Sequence, residues 1–258
     1  MYVSILLAIA VIGCVWRLAG AYRAHIIKIT TSGYIPTPSP WMRAVTRLLF
    51  RFWCFVQIGK VTVVNAHYLE TPERVIACAN HSSLLDAQVL FTLAKRPFRI
   101  MGAYEVMRKA GGLVGLVMAG IGVFPVDRAH GGTVIEPAVD LVVAGEPLAL
   151  APEGKINPDG ELGIFKHGAP IIAKAAYLRL GGKVRVGFLP VHIWYHKRHA
   201  ASALSYARMG LRWRGGVTVT VCEPIWLNDL DDLDPEAMTL MIRDAIAAVQ
   251  ARWKESMS

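Results

Sequence analysis

From Lys60 onward the chain alternates short apolar runs with longer segments of helical spacing. No other feature limits the fold so strongly. Each strand or helix with one apolar face needs a neighbour to cover it, so strands alternating with helices stack as layers on one sheet. Residues 61–65, 74–79, 98–101, 122–126, 147–151, 183–191 and 217–222 read as strands. Residues 84–94, 133–143 and 168–180 read as helices, with helical material through Met118. Thr133 and Glu136 stand at capping-box spacing, and Asp234 precedes Pro235 as the cap of a last helix. The 258 residues suffice for one large α/β domain with a full core. That domain is expected over 60–258, with strand order unreadable.

Residues 1–59 have a different character. The first 16 residues carry no charge, and the run stops at Arg17. That is short of the roughly 20 residues that span a bilayer. The segment spans if Arg17 and Arg23 snorkel, or else it lies on the surface. Positive charges follow the apolar run, which argues against a cleaved signal peptide and places the body on the cytoplasmic side. In "WMRAVTRLLFRFWCFVQIG", Arg43, Arg47 and Arg51 fall on one helical stripe, opposite Leu48, Leu49, Phe52, Phe55 and Val56. Such a helix either lies in a membrane interface or turns its apolar side to a core. The Pro-rich "GYIPTPSPW" links the two segments, so an N-terminal membrane-anchoring helical hairpin is expected.

Composition supports this division. The chain is 54% hydrophobic and 18% charged, with a net charge of +9 and mean hydropathy of +0.39. A basic, apolar chain suits an anionic membrane surface or an acidic partner. No nucleic-acid motif accompanies the charge, so no nucleic-acid partner is expected. Cys14, Cys54, Cys78 and Cys222 form no CxxC pair, which points to a reducing compartment with no disulfide framework and no zinc site.

The chemistry concentrates in "ACANHSSLLDAQVL", where a strand-like run ends at Asn80-His81 and Asp86 opens the next helical segment. Five residues apart on a helix, His81 and Asp86 would not face each other. They meet only if His81 is in the turn and Asp86 is in the helix's first turn. A carboxylate on one imidazole nitrogen fixes the tautomer and leaves the other nitrogen to take a proton. The alternative makes Asp86 a cap for Ser83 and His81 a loop residue. Ser82 and Ser83 sit in no nucleophile elbow and read as cap residues.

"NHSSLLD" resembles the NHxxxxD motif of the glycerolipid acyltransferases, the 1-acylglycerol-3-phosphate O-acyltransferase family. Further blocks follow in that family's order: "GVFPVDR" (122–128), "PEG" (152–154) with "DGELGIFKHG" (159–168), and "FLPVHI" (188–193). The resemblance implies a layered α/β domain with a central mixed sheet and membrane-associated N-terminal helices. It implies that His81 is the general base, oriented by Asp86, and that Arg128, Glu153, Gly154 and Lys155 bind the acceptor, with Glu153 alternatively ordering the site. Asn80, Gly122, Lys166 and Pro190 would support the site. No metal or cofactor is implied. The partners would be membrane lipids, a lysolipid acceptor, and acyl-coenzyme A or acyl carrier protein as donor. The location would be the cytoplasmic face of the membrane.

The pattern breaks after "PEG", where threonine and arginine are expected and Lys155-Ile156 stand. The loss of a guanidinium there leaves two acceptors open, 1-acylglycerol-3-phosphate or a different lysolipid, such as a lyso-aminolipid or glycolipid. Two rival classes remain: a hydrolase, and a non-catalytic lipid or acyl-carrier binder. His167, His192, His196 and His199 match no family position and read as core or solvated residues. Met107, Met118 and the apolar stretch 112–121 read as packing, with an acyl tunnel as the alternative. The basic-aromatic stretch 192–214 is a candidate docking segment.

Overall fold

The computed structural model describes residues 2–71, 73–157, 159–196, 215–229 and 234–256. Two helices, α1 (Tyr2–Ile29) and α2 (Pro40–Gln57), precede the body. Then follow β1 (Val61–Val64), β2 (Arg74–Ala79), α3 (Asp86–Leu93), β3 (Arg99–Ala103), α4 (Tyr104–Met107), α5 (Leu113–Ile121) and β4 (Phe124–Val126). The chain continues through α6 (Ile135–Val143), β5 (Leu148–Leu150), α7 (Gly168–Arg179), β6 (Val186–Tyr195), β7 (Val217–Val221), β8 (Ile225–Trp226) and α8 (Pro235–Glu255).

The sheet is mixed, in the order β1-β7-β6-β2-β5-β3-β4, with β8 also on β6. The run from β6 through β2, β5 and β3 to β4 is parallel, while β7 and β8 run antiparallel to β6. The C-terminal ends of β2, β5, β3 and β4 therefore share one rim, where open α/β sheets place their ligands.

Alternation along β2 and β6 sends side chains into two cores. Ala77, Leu189, Val191 and Ile193 pack with α3 and with Cys54 and Ile58 at the end of α2. Ile76, Cys78, Val186 and Phe188 pack with α6, α7 and α8. Pro190 pairs with Cys78 at the centre of the sheet. On its other side its carbonyl accepts the Cys222 N–H at 2.9 Å, just past β7, and the return bond of that antiparallel pair is the one a proline cannot give. The buried Met107 packs with Ile29 and Ala119, while Leu113 and Val117 of α5 are exposed, so the expected packing holds for one side of that helix.

Two expectations need correction. Thr133 does not cap α6: its hydroxyl donates to the His130 carbonyl and contacts Ser32, and a 3-10 turn at Gly131–Val134 leads into the helix. Asp234, by contrast, caps α8 by accepting the Ala237 N–H at 2.7 Å. The second correction concerns α2, whose arginine stripe faces the protein. Arg43 donates to the Ile121 carbonyl, Arg47 to Ala94 and Lys95, and Arg51 to Thr92. These carbonyls lie at or just beyond the C-termini of α3 and α5, where a cation also complements the helix dipole. The opposite face is exposed: Leu48 70%, Phe52 64% and Phe55 63%. Trp16, Leu18 and Ile27 of α1 are exposed too, and both helices pack on α5. Among the described residues no helix is long and apolar enough to cross a membrane.

Candidate active site

β2 stops at Ala79 and α3 starts at Asp86, two residues later than the apolar pattern suggests. The intervening turn is built around one carboxylate. Asp86 Oδ2 accepts from His81 Nδ1, Ser82 N and Ser83 N, each at 2.9 Å. Both sequence readings of Asp86 therefore hold at once: it caps the turn's amides and it binds the imidazole. Neither serine caps α3 as expected: the helix starts with Leu85 at its N-cap and no side-chain cap, Ser83 Oγ accepts the Leu85 N–H within the turn, and Ser82 Oγ is buried without a hydrogen-bond partner. With the carboxylate as acceptor, Nδ1 carries the proton and Nε2 is left as a base. The Asp86 side chain is 5% exposed and that of His81 19%, so the pair is sheltered yet open on the imidazole side.

His81 is fixed along its backbone as well. Its N–H donates to Glu153 Oε1 at 3.0 Å, and its carbonyl accepts the Asn157 N–H at 2.7 Å. Glu153 Oε2 accepts from Gly163 N and from the Asn157 carboxamide. Glu153 is buried, and burial raises its pKa above the ordinary carboxylate value. Both its oxygens are engaged within the fold, so of its two expected roles the geometry matches the ordering one. Asn80, also buried, exchanges two hydrogen bonds with Ile193 of β6.

The remaining expected residues lie around this centre. Gly154 adopts φ +65, and a Cβ there would stand 3.2 Å from Lys166 Nζ, so the lysine lies across the glycine. Lys155 and Lys166 are exposed, and Ile156 adjoins the Asn157 amide that holds His81. Arg128 is exposed two residues past β4, on the same rim but three strands from β2, or roughly 14 Å at sheet spacing. The structure thus brings His81, Asp86, Asn80, Glu153 and Gly154 together, and places Arg128 farther along the rim. Gly122, at the start of the "GVFPVDR" block, has φ +97 and sits against Arg43 and Arg99.

Acyl transfer also needs donors for the oxyanion that forms, and the amides leading into α3 are already engaged. Those of Ser82 and Ser83 are taken by Asp86, that of Leu85 by Ser83 Oγ, and that of Asp86 by the Ser83 carbonyl. His167 bonds Thr239, His196 bonds Thr218, and burial pushes His192 down to about 4, so it stays neutral. His199 and most of the 192–214 docking segment lie outside the described residues. A cavity of about 450 Å³ lies between residues 162–167 and α8, and neither His81 nor Asp86 lines it.

One site residue escaped the sequence reading. Tyr195, at the end of β6, donates its hydroxyl to Asp86 Oδ1 at 2.6 Å. The two residues are 109 apart in sequence. The only hint was position: Tyr195 lies two residues beyond the "FLPVHI" block.

The acyltransferase family model matches residues 60–194, which includes β1 through most of β6. The chain is similar to the chloroplastic 1-acyl-sn-glycerol-3-phosphate acyltransferase of Arabidopsis thaliana, 25% identical over 235 residues, covering 85% of this chain and 60% of that protein. A protein of the same name from Borreliella burgdorferi is 23% identical over 190 residues, covering 72% and 70%. The chain spans about three fifths of the length of its plant relatives. The fold matches the crystal structure of the 1-acyl-sn-glycerophosphate acyltransferase PlsC from Thermotoga maritima with a TM-score of 0.61, at 19% identity, over 83% of this chain and 78% of that one.

Proposed function

The chain belongs to the acyltransferase family, and on that premise we propose that it moves a fatty acyl group from an acyl thioester to the free hydroxyl of 1-acylglycerol-3-phosphate, giving phosphatidic acid. The observation that carries this reading is the 2.9 Å contact between His81 Nδ1 and Asp86 Oδ2, in a turn with no nucleophile elbow of its own. A base without its own nucleophile suits a reaction whose nucleophile is the substrate's hydroxyl. His81 Nε2 takes the hydroxyl proton as the oxygen attacks the thioester carbonyl. Asp86 stabilises the imidazolium. The C–S bond then breaks, and the proton passes to the departing thiolate. The products are an ester and a free thiol, with no net change in protons or electrons.

The outward apolar face of α2, continued by α1, supports docking on a membrane surface with the arginines turned inward. That arrangement delivers a lysolipid to the rim without requiring a spanning helix. Acyl-coenzyme A or acyl carrier protein, both anionic, fits the net charge of +9 as donor. Exposed Lys155, Lys166 and Arg128 are the cations offered to an acceptor phosphate.

Ile156 favours a second reading, in which the acceptor is another lysolipid. It stands beside the His81 strut where the family has arginine, so one fork for a phosphate is missing. Labelled acyl thioester offered to a panel of lysolipids decides between the two. Preference for 1-acylglycerol-3-phosphate supports the first. Preference for another acceptor, with Ile156→Arg shifting turnover towards 1-acylglycerol-3-phosphate, supports the second.

A further inference from the structure

Asp86 is held at both oxygens, and only one of them serves His81. Oδ2 takes the imidazole and two backbone amides, while Oδ1 takes the Tyr195 hydroxyl at 2.6 Å. Tyr195 is itself fixed, because it closes the β6–β7 ladder opposite Val217. The Ser83 side chain hydrogen-bonds the phenol in turn. Burial, with the Asp86 charge beside it, pushes the phenol well above its ordinary value, so it stays a donor. The other ionisable groups facing the cluster are Glu153, after β5, and the Cys54 thiol of α2, which burial pushes up to about 11.

We propose that Tyr195 is a positioning residue for acyl transfer, fixing the Asp86 carboxylate and drawing off part of its charge so that His81 is aimed and its proton affinity is set. The proposal rests on the reading of His81 as base. Three features carry it. The bond is short, as charge-assisted O–H···O bonds are. It occupies the one carboxylate oxygen that the turn leaves over. It comes from the sheet, so it pins the turn against rigid structure rather than against another loop. A hydroxyl on Oδ1 takes part of the carboxylate's charge, so less of it is left on the oxygen that faces the imidazole.

The test is Tyr195→Phe in the full-length protein, assayed by thioester cleavage with a lysolipid acceptor across pH, with His81→Ala alongside. Loss of the hydroxyl alone is expected to lower kcat about tenfold to a hundredfold, with KM for both substrates unchanged. The acid limb of the kcat/KM profile is expected to move to higher pH, because the carboxylate then holds imidazolium more tightly. A Tyr195→Phe enzyme with the wild-type rate and profile overturns the proposal, provided His81→Ala is inactive. A lower rate with an unmoved acid limb also overturns it, since that outcome marks a purely structural tyrosine. An active His81→Ala enzyme would instead remove the underlying base assignment, a distinguishable failure.

Discussion

Asn80 and Ile193 exchange two hydrogen bonds across the sheet: Asn80 Nδ2 donates to the Ile193 carbonyl at 3.1 Å, and the Ile193 N–H donates to Asn80 Oδ1 at 2.7 Å. The carboxamide replaces a ladder rung beyond the last paired residue of β2, and so it sets where His81 begins its turn. Asn80→Ala would leave both Ile193 groups buried and unpartnered. The expected cost is ~2–4 kcal/mol of stability, read from urea unfolding, together with reduced turnover. Unchanged stability would mean that the turn is held by other contacts.

Glu153 gives a pH test whose sign follows from its burial. A carboxyl whose folded pKa lies above its unfolded value binds its proton more tightly in the folded state. Its contribution is complete below the ordinary value of 4.5 and is lost as pH rises through the folded value. The stability of the wild type relative to Glu153→Gln should therefore fall as pH rises from below 4.5 upward. Thermal unfolding of both proteins at several pH values measures it. A difference that grows in favour of the wild type with rising pH would show that its hydrogen bonds outweigh desolvation.

The two faces of α2 should separate cleanly. Arg47→Ala removes donors from the Ala94 and Lys95 carbonyls and should destabilise the fold by ~1–2 kcal/mol. Phe52→Asp with Phe55→Asp alters only the outward face, so unfolding should shift by no more than about 0.5 kcal/mol. Cosedimentation with anionic vesicles should nevertheless be lost in that variant. Retained vesicle binding would remove this face from the membrane account.

Gly122 has a conformational reason to be glycine. Its φ is +97, and a Cβ would lie 2.9 Å from Arg43 Nη2 and 3.2 Å from Arg99 Nε. Gly122→Ala should cost about 1–3 kcal/mol and loosen α2 from the body, read as a lower Tm. A wild-type Tm would mean that the two guanidinium groups yield easily.

The layered α/β class and most strands were legible because buried parallel strands read as continuous apolar runs. Boundaries failed where a side chain overrode the pattern. The end of β6 runs on to Tyr195 through the buried, neutral His192, which interrupts the apolar run on paper but not in the core. The helix α3 begins late because the Asp86 carboxylate takes the amides of Ser82 and Ser83. The His81–Asp86 pair was legible from local spacing, and the ordering role of Glu153 was one of two open readings. Tyr195 was not legible, because its partner is brought near only by the β2–β6 pairing. The arginine stripe of α2 was visible, but its direction was not, since it depends on which helix ends supply bare carbonyls.

His81, as the base paired with Asp86, is the group on which the proposed acyl transfer depends. Thiol release from an acyl thioester, followed with and without a lysolipid, tests it directly in the wild type, His81→Ala and Asp86→Asn. The predicted result is release that depends on the acceptor and falls by ~10²–10⁴-fold in each variant. Acceptor-dependent release that persists at the wild-type rate in His81→Ala would contradict it.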